Sequence, residues 1–466
     1  MVSGIISCTN GHSKPVKRKF AYNMNSSSLS IKTSQLFKVA LPMSLGAFIQ
    51  FFVVFTDNFF VAQINGNAMS AVSYIGLFYI TIGMITTGIA SAIQIIVARR
   101  VGERTEEKIN GIIRNGWFLG LFIALLQWTF LRFALPPFLE LNIGNEEIRG
   151  YMLGFLQYRQ WGFWFYTPTA ILLAYWSGTA KTRVILYTLL ITSLGNILLD
   201  YWLIYGGIGI PAMGPNGAGL ATSIAELCGL IFIFTYSLRN AKEHIFTIWK
   251  PYWKDTLAIL KLGLPIVFQM LLALGVWMAF YTLIESRGAA SLQSAFIVRN
   301  MYMLAWVSVM GFSSATRTFT SQLMAEERWS DIKKLSWKVG LMNLCGIILL
   351  SHGLWLYPHW IASQFTSDPE TIRLTLATMQ IIFPAMIIYS FTSILLAIVE
   401  GSGSTMAGFW IEVITSIVYA LFVYTMVKFT TWEVPILWMA DYLYFIVLGI
   451  CSISFLKFGN WKNQSI

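Results

Sequence analysis

LLAYWSGTAKT at 172–182 returns as LLAIVEGSGST at 395–405. Leu172, Leu173, Ala174, Gly178 and Thr182 match Leu395, Leu396, Ala397, Gly401 and Thr405 at one constant offset. Leu41-Pro42 recurs at the same offset as Leu264-Pro265, and Glu103-Arg104 recurs as Glu327-Arg328 one residue out of phase. Three matches at nearly one offset indicate a duplicated chain, with two copies of one unit in tandem.

The nature of the unit follows from the apolar runs around these matches. A helix needs ~20 apolar residues to cross ~30 Å of hydrocarbon. Twelve such runs lie near 36–63, 67–98, 109–131, 149–177, 183–206, 217–237, 257–285, 289–316, 336–357, 371–400, 407–428 and 436–457. They do not alternate polar with apolar, as barrel strands would. The expected fold is therefore all-α and integral to a membrane, with twelve transmembrane helices in two six-helix bundles. An even number of spans per copy gives both copies the same orientation, related by an axis along the membrane normal.

Composition agrees. Of 466 residues, 56% are hydrophobic and only 11% are charged, against roughly 25% charged in soluble domains. This excludes a water-soluble enzyme, a nucleic-acid-binding module and a disordered tail protein. The four Cys form no CxxC pair, the four His share no ligand spacing, and no GxxxxGK[ST] is present. No disulfide framework, zinc site, cofactor or ATPase subunit is implied.

The net charge of +11 divides by side. With residue 1 in the cytoplasm, cytoplasmic segments and helix ends hold 25 Lys+Arg and eight acids, and outer segments hold five and seven. Away from the helix ends two cations, Arg159 and Arg299, fall within the spans, against six acids. Such a bias places both termini inside, in a plasma (bacterial inner) membrane with the lipid bilayer as partner and no nucleic acid. The expected organisation is a cytoplasmic tail (1–35), a first bundle (36–237), a basic cytoplasmic linker (238–256), a second bundle (257–457) and a short cytoplasmic tail (458–466).

A charged side chain at mid-membrane costs ~2.5–3.5 kcal/mol on insertion scales, so embedded acids mark function. Glu400 and Glu412 sit near cytoplasmic helix ends within reach of solvent, and Asp441 lies near an outer end. Asp57 and Asp200 each lie six residues, ~9 Å, below the outer end of the first and fifth spans. Thr222 lies five residues, ~7.5 Å, into the sixth. Asn196 and Glu226 fall one turn deeper on the same faces as Asp200 and Thr222. Two carboxylates held close in a low dielectric cannot both ionise cheaply, and proton uptake or Na⁺ coordination would relieve their repulsion. At the offset of the repeat, Asp57, Asn196 and Asp200 map to Phe280, Tyr419 and Val423, so the acids are not required by the scaffold.

These residues also carry a resemblance. ALP at 40–42, VVFTDNFFVA (53–62), GNILLDYWLIYG (195–206) and GAGLATSIAE (217–226) resemble the multidrug and toxic compound extrusion (MATE) family. The loops VARRVGER (97–104) and FTSQLMAEER (319–328) are similar to its paired cytoplasmic loops. FLQYRQWG (155–162) and Ala225-Glu226 look closest to its DinF-like branch. The resemblance covers about 35–457.

It implies an antiporter that exports cationic or amphiphilic organic compounds, driven by inward H⁺ or Na⁺ and working by alternating access. It carries cation coupling onto Asp57, Asn196, Asp200 and Thr222, which would also be the Na⁺ ligands. By the same resemblance Glu226 is a partner for Arg159, and Pro42 a hinge in the first span. A second-half site used by another branch maps to Gln269 and Tyr389, which are not acids, so protons are favoured over Na⁺. The alternatives are a lipid or lipid-linked oligosaccharide flippase of the same superfamily, which would want a basic cavity, and a membrane-embedded transferase, which would want a donor motif.

Overall fold

A computed structural model describes residues 31–207, 209–241, 252–464 and 466. Most of the expected N-terminal tail and the centre of the linker therefore lie outside the described residues. Every extended element among the described residues is a helix. The first lobe comprises α1 (Thr33–Ala62), α2 (Gly66–Gly102), α3 (Ile109–Thr129), α4 (Leu135–Asn142), α5 (Glu146–Arg159), α6 (Phe163–Gly178), α7 (Arg183–Tyr205) and α8 (Pro215–Asn240). The second lobe comprises α9 (Trp253–Glu285), α10 (Ala289–Ala325), α11 (Trp329–Ser351), α12 (Gly353–Leu356), α13 (Pro358–Phe365), α14 (Pro369–Gly401), α15 (Thr405–Phe429), α16 (Val434–Leu437) and α17 (Met439–Phe458).

Eleven helical stretches among the described residues are long and apolar enough to cross a membrane. The expected fourth span is divided into α5 and α6 by a 3₁₀ turn over Gln160–Gly162. The helices outrun the sequence reading at the basic end: α2 continues to Gly102 and α10 to Ala325. VARRVG and FTSQLMA are thus helical, and only short turns remain of the two loops. Arg317, beyond the expected span 289–316, consequently lies within α10.

Backbone geometry gives the duplication in register. Arg104 and Glu327 stand at the offset that carries Gly178 to Gly401. Both adopt left-handed backbone (φ 57° and 56°), so the one-residue slip of the sequence match disappears. Ala180 and Gly403 form a second such pair (φ 59° and 92°). Gly178 and Gly401 are the last residues of α6 and α14 and permit close packing. A Cβ on Gly178 would stand 2.8 Å from the Gln94 carbonyl, and one on Gly401 would stand 2.8 Å from that of Arg317. Gln94 and Arg317 are themselves repeat mates. Helices in lipid gain little from hydrophobic burial against each other, so such small-residue contacts hold them together.

The lobes meet along a seam of α1 and α2 against α9 and α10. At the basic end they share one apolar core, which joins Ile93 and Val97 to Phe319 and Leu323. Toward the other end each has its own core, around Ile75 and Leu135 in the first lobe and Phe280 and Trp438 in the second. The assembly is therefore fused at one end. A Cβ on Gly102 would lie 2.7 Å from the Cβ of Ala325, its own repeat mate, so the pseudo-twofold axis passes between them. The C-terminal segment is not a free tail, because Trp461 is buried in the shared core and Arg100 donates to the Ile466 carbonyl (2.7 Å).

Pro42 lies inside an unbroken α1. Proline has no N–H, so it leaves the carbonyl four residues earlier without its helical donor. The Thr182 hydroxyl stands beside this opening, donating mainly to the neighbouring Val39 carbonyl (2.9 Å) and reaching that of Lys38 at 3.4 Å.

Candidate functional site

Three helices of the first lobe bring the polar side chains together. Asn196 and Asp200, one turn apart on α7, are both 0% exposed. Asp57 on α1 adjoins both; the residue is partly exposed, but its Oδ1 is buried. Asn196 Nδ2 donates to Thr222 Oγ1 (3.2 Å), and Thr222 donates onward to the Ala218 carbonyl (2.9 Å). Thr222 thus bonds to Asn196, the residue one turn below Asp200. Helix α8 begins at Pro215, which places Thr222 seven residues into its helix.

Asp57 Oδ1, Asn196 Oδ1 and both Asp200 carboxyl oxygens are buried and accept no hydrogen bond from the described residues. Buried acceptors are nearly always satisfied. Oxygen atoms from two carboxyls and an amide, beside a hydroxyl, form a donor set suited to a proton or a hard cation.

Deeper on α8, Glu226 accepts two hydrogen bonds from Arg159 of α5 (2.9 and 2.8 Å). The Arg159 guanidinium lies 3.5 Å from the centroid of the Tyr79 ring, and Tyr79 stacks on Phe163 at 4.0 Å and 9°. Gly162, in the turn between α5 and α6, has no room for a Cβ beside Arg159, Glu226 and Tyr79. The same packing that seats the ion pair therefore divides the fourth span. Tyr79 was not foreseen, since one aromatic among 72 carries no signal in sequence.

In the second lobe Phe280, Tyr419 and Val423 stand where the first lobe has Asp57, Asn196 and Asp200, and all three are buried. Gln269 donates to Glu400 (3.0 Å), and Arg317 completes the pair (2.9 Å). Tyr389 stacks on Phe445 at 4.4 Å. Glu400 and Glu412 are not reached by solvent as expected, being only 4% and 2% exposed. The extension of α10 past 316 and the packing of α9 and α17 cover them. No cluster of three or more His, Cys, Asp or Glu suited to a metal occurs among the described residues.

A model of the MatE family matches residues 42–202 and again 265–425. The chain belongs to the MatE family. The second matched stretch starts and ends at the offset of the internal repeat from the first. As a MATE protein the chain is a multi-pass membrane transporter and not an enzyme.

Curated relatives include two proteins named probable multidrug resistance protein NorM. The one from Bacillus subtilis is 25% identical over 352 residues, covering 74% of this chain and 77% of the relative. The one from Thermotoga maritima is 23% identical over 446 residues, covering 93% and 94%. The fold matches an outward-facing multidrug resistance MATE transporter of the MOP superfamily, with TM-score 0.85, 16% identity, and coverage of 93% and 97%. It also matches a MATE transporter in its straight conformation, with TM-score 0.82, 18% identity, and coverage of 92% and 95%.

Proposed function

We propose that this MATE protein is a cation-coupled multidrug antiporter that exports cationic or amphiphilic organic compounds by alternating access of its two lobes. Asp57, Asn196, Asp200 and Thr222 form the coupling site, and protons are favoured over Na⁺ as the driving ion. The observation that carries this reading is the meeting of Asp57, Asn196 and Asp200 with four buried oxygens lacking donors. A proton shared between the carboxyls relieves both their repulsion and their unmet hydrogen bonding.

The bundles extend over 36–237 and 257–457, with both termini at the cytoplasmic, basic end. The shared core at that end fits an outward-open state, in which Asp57 and Asp200 meet ions from outside. Binding there reshapes α1 about Pro42 and favours release of the substrate. A phosphate-bearing lipid substrate is disfavoured, because Arg159 and Arg317 are already paired with Glu226 and Glu400.

The test is efflux of ethidium or a fluoroquinolone from a pump-deficient host. Asp57→Asn and Asp200→Asn should each abolish efflux with expression unchanged; efflux retained in both sinks the assignment.

A further inference from the structure

Each lobe has one embedded acid tied to an arginine, Glu226 to Arg159 and Glu400 to Arg317. The first lobe then has two acids without a cationic partner, Asp57 and Asp200. The second lobe also has two, Glu412 and Asp441, both buried and in no ion pair among the described residues. Their repeat mates in the first lobe are Leu189 and Ala218, so the repeated scaffold does not require them.

Phenols stand beside both acids. On α15, Glu412, Ser416 and Tyr419 fall at i, i+4 and i+7, along one face. On α17, Asp441 and Tyr444 are three residues apart. The Tyr444 hydroxyl donates to Glu412 through a short hydrogen bond, and Ser416 approaches the same oxygen at 3.5 Å. The Tyr444 ring meets Tyr419 edge-on, with centroids 5.7 Å apart. The Tyr419 hydroxyl is buried and faces Asp441. From Glu412 to Tyr419 the file rises ~10 Å along α15.

The surroundings supply no cation for either acid. Around Glu412, α14 contributes Glu400 and Tyr389, and Glu400 is already bound by Arg317 and Gln269. Around Asp441 stand Tyr281 of α9 and Tyr302 of α10. The embedded Arg299 lies over the rings of Phe296, Trp277 and Tyr281, 5.0–5.8 Å from their centroids. An ionised carboxylate here lacks a counter-charge, and a bound proton removes the charge.

We infer that the second lobe holds its own proton-binding site, centred on Glu412 and its hydrogen-bond donor Tyr444. A transport cycle then moves a proton through this lobe in addition to the event at Asp57 and Asp200. The inference rests on the reading of the chain as an ion-coupled transporter. The Glu412 carboxylate takes up a proton at one oxygen, forming an O–H bond, and gives it up again later in the cycle, and no other bond changes.

The test is infrared difference spectroscopy of the carboxyl groups in the full chain in liposomes as the pH is stepped, together with the count of protons moved per ethidium. Glu412→Gln should remove one carboxyl band and lower the proton count by one. Tyr444→Phe, which keeps the acid, should shift that band and supports the assignment even if Glu412→Gln folds poorly. The band should persist in Asp57→Asn/Asp200→Asn. A spectrum and proton count unchanged in both Glu412→Gln and Tyr444→Phe overturn the inference and leave the first-lobe site standing. Coupling unchanged in Asp57→Asn/Asp200→Asn, with the Glu412 band present, overturns the first-lobe reading instead.

Discussion

Arg99 and Gln322, mates in the internal repeat, each donate across the seam to a carbonyl at the C-terminal end of a helix in the other lobe, at positions one residue apart in the repeat. Arg99 of the first lobe donates to the Ser402 carbonyl at the end of α14, and Gln322 of the second donates to the Gly178 carbonyl at the end of α6, each at 2.9 Å. Gln94 adds bonds to Ser314 and Thr318 (both 2.8 Å), and Ser321 donates to the Ile95 carbonyl (2.8 Å). In alternating access this polar layer must break. A Cβ on Gly102 would lie 2.7 Å from both the Ala325 Cβ and the Gln322 carbonyl, so Gly102→Val should wedge the seam apart. Its efflux should fall at least tenfold with expression retained. Gly66→Ala, where nothing lies within 4 Å of the new Cβ, should transport normally.

The Arg159–Glu226 pair gives a stability prediction. Removing one member of a buried, doubly hydrogen-bonded pair strands the other charge and costs about 3–5 kcal/mol. Arg159→Met or Glu226→Gln should therefore lower the unfolding temperature in detergent by several degrees. The double variant Arg159→Met/Glu226→Met should recover much of that loss, because it strands no charge. A double variant worse than the sum of the two singles contradicts a mainly structural pairing.

Pro42 separates bending from folding. Pro42→Ala restores the N–H that the Lys38 carbonyl lacks, so α1 should become stiffer and no less stable. If bending at Pro42 serves the cycle, the transport rate should drop while the unfolding temperature holds or rises. Thr182→Val removes the substitute donor and should cost about 1 kcal/mol in the native protein. In the Pro42→Ala background it should cost less.

Asp368 at the start of α14 gives a pH dependence outside the membrane spans. It accepts from the Thr371 hydroxyl (2.6 Å) and backbone N–H (2.9 Å), and these bonds hold its carboxyl below the ordinary value of 3.8. A carboxyl lowered by folding adds stability above its unfolded value, and that stability is lost as pH falls through the folded one. The stability difference between the native protein and Asp368→Ala should therefore be constant near neutrality and shrink below about pH 4, as read by thermal unfolding across pH.

Much of this was legible in the sequence for one reason. In lipid a segment must satisfy its own backbone hydrogen bonds, so each apolar run of sufficient length has to be a helix. The repeat was legible because Gly178 and Gly401 are held by backbone contacts that admit no Cβ. Partnerships were harder to read. Arg317 was placed outside the membrane because nothing local shows that α10 continues to Ala325. Glu412 looked solvated because its cover, Tyr444, comes from a helix 32 residues away in sequence. Thr222 was put two residues, about 3 Å, too high because Pro215, an ordinary first residue of a helix, was read as loop.

The central claim is that the first-lobe carboxyls couple an ion gradient to export. Its most direct test is ethidium transport by purified protein in proteoliposomes, with a pH gradient and a Na⁺ gradient imposed separately. Transport driven by the pH gradient alone, and lost in both Asp57→Asn and Asp200→Asn, is the expected result. Transport of equal rate in the native protein and both variants under either gradient would contradict it.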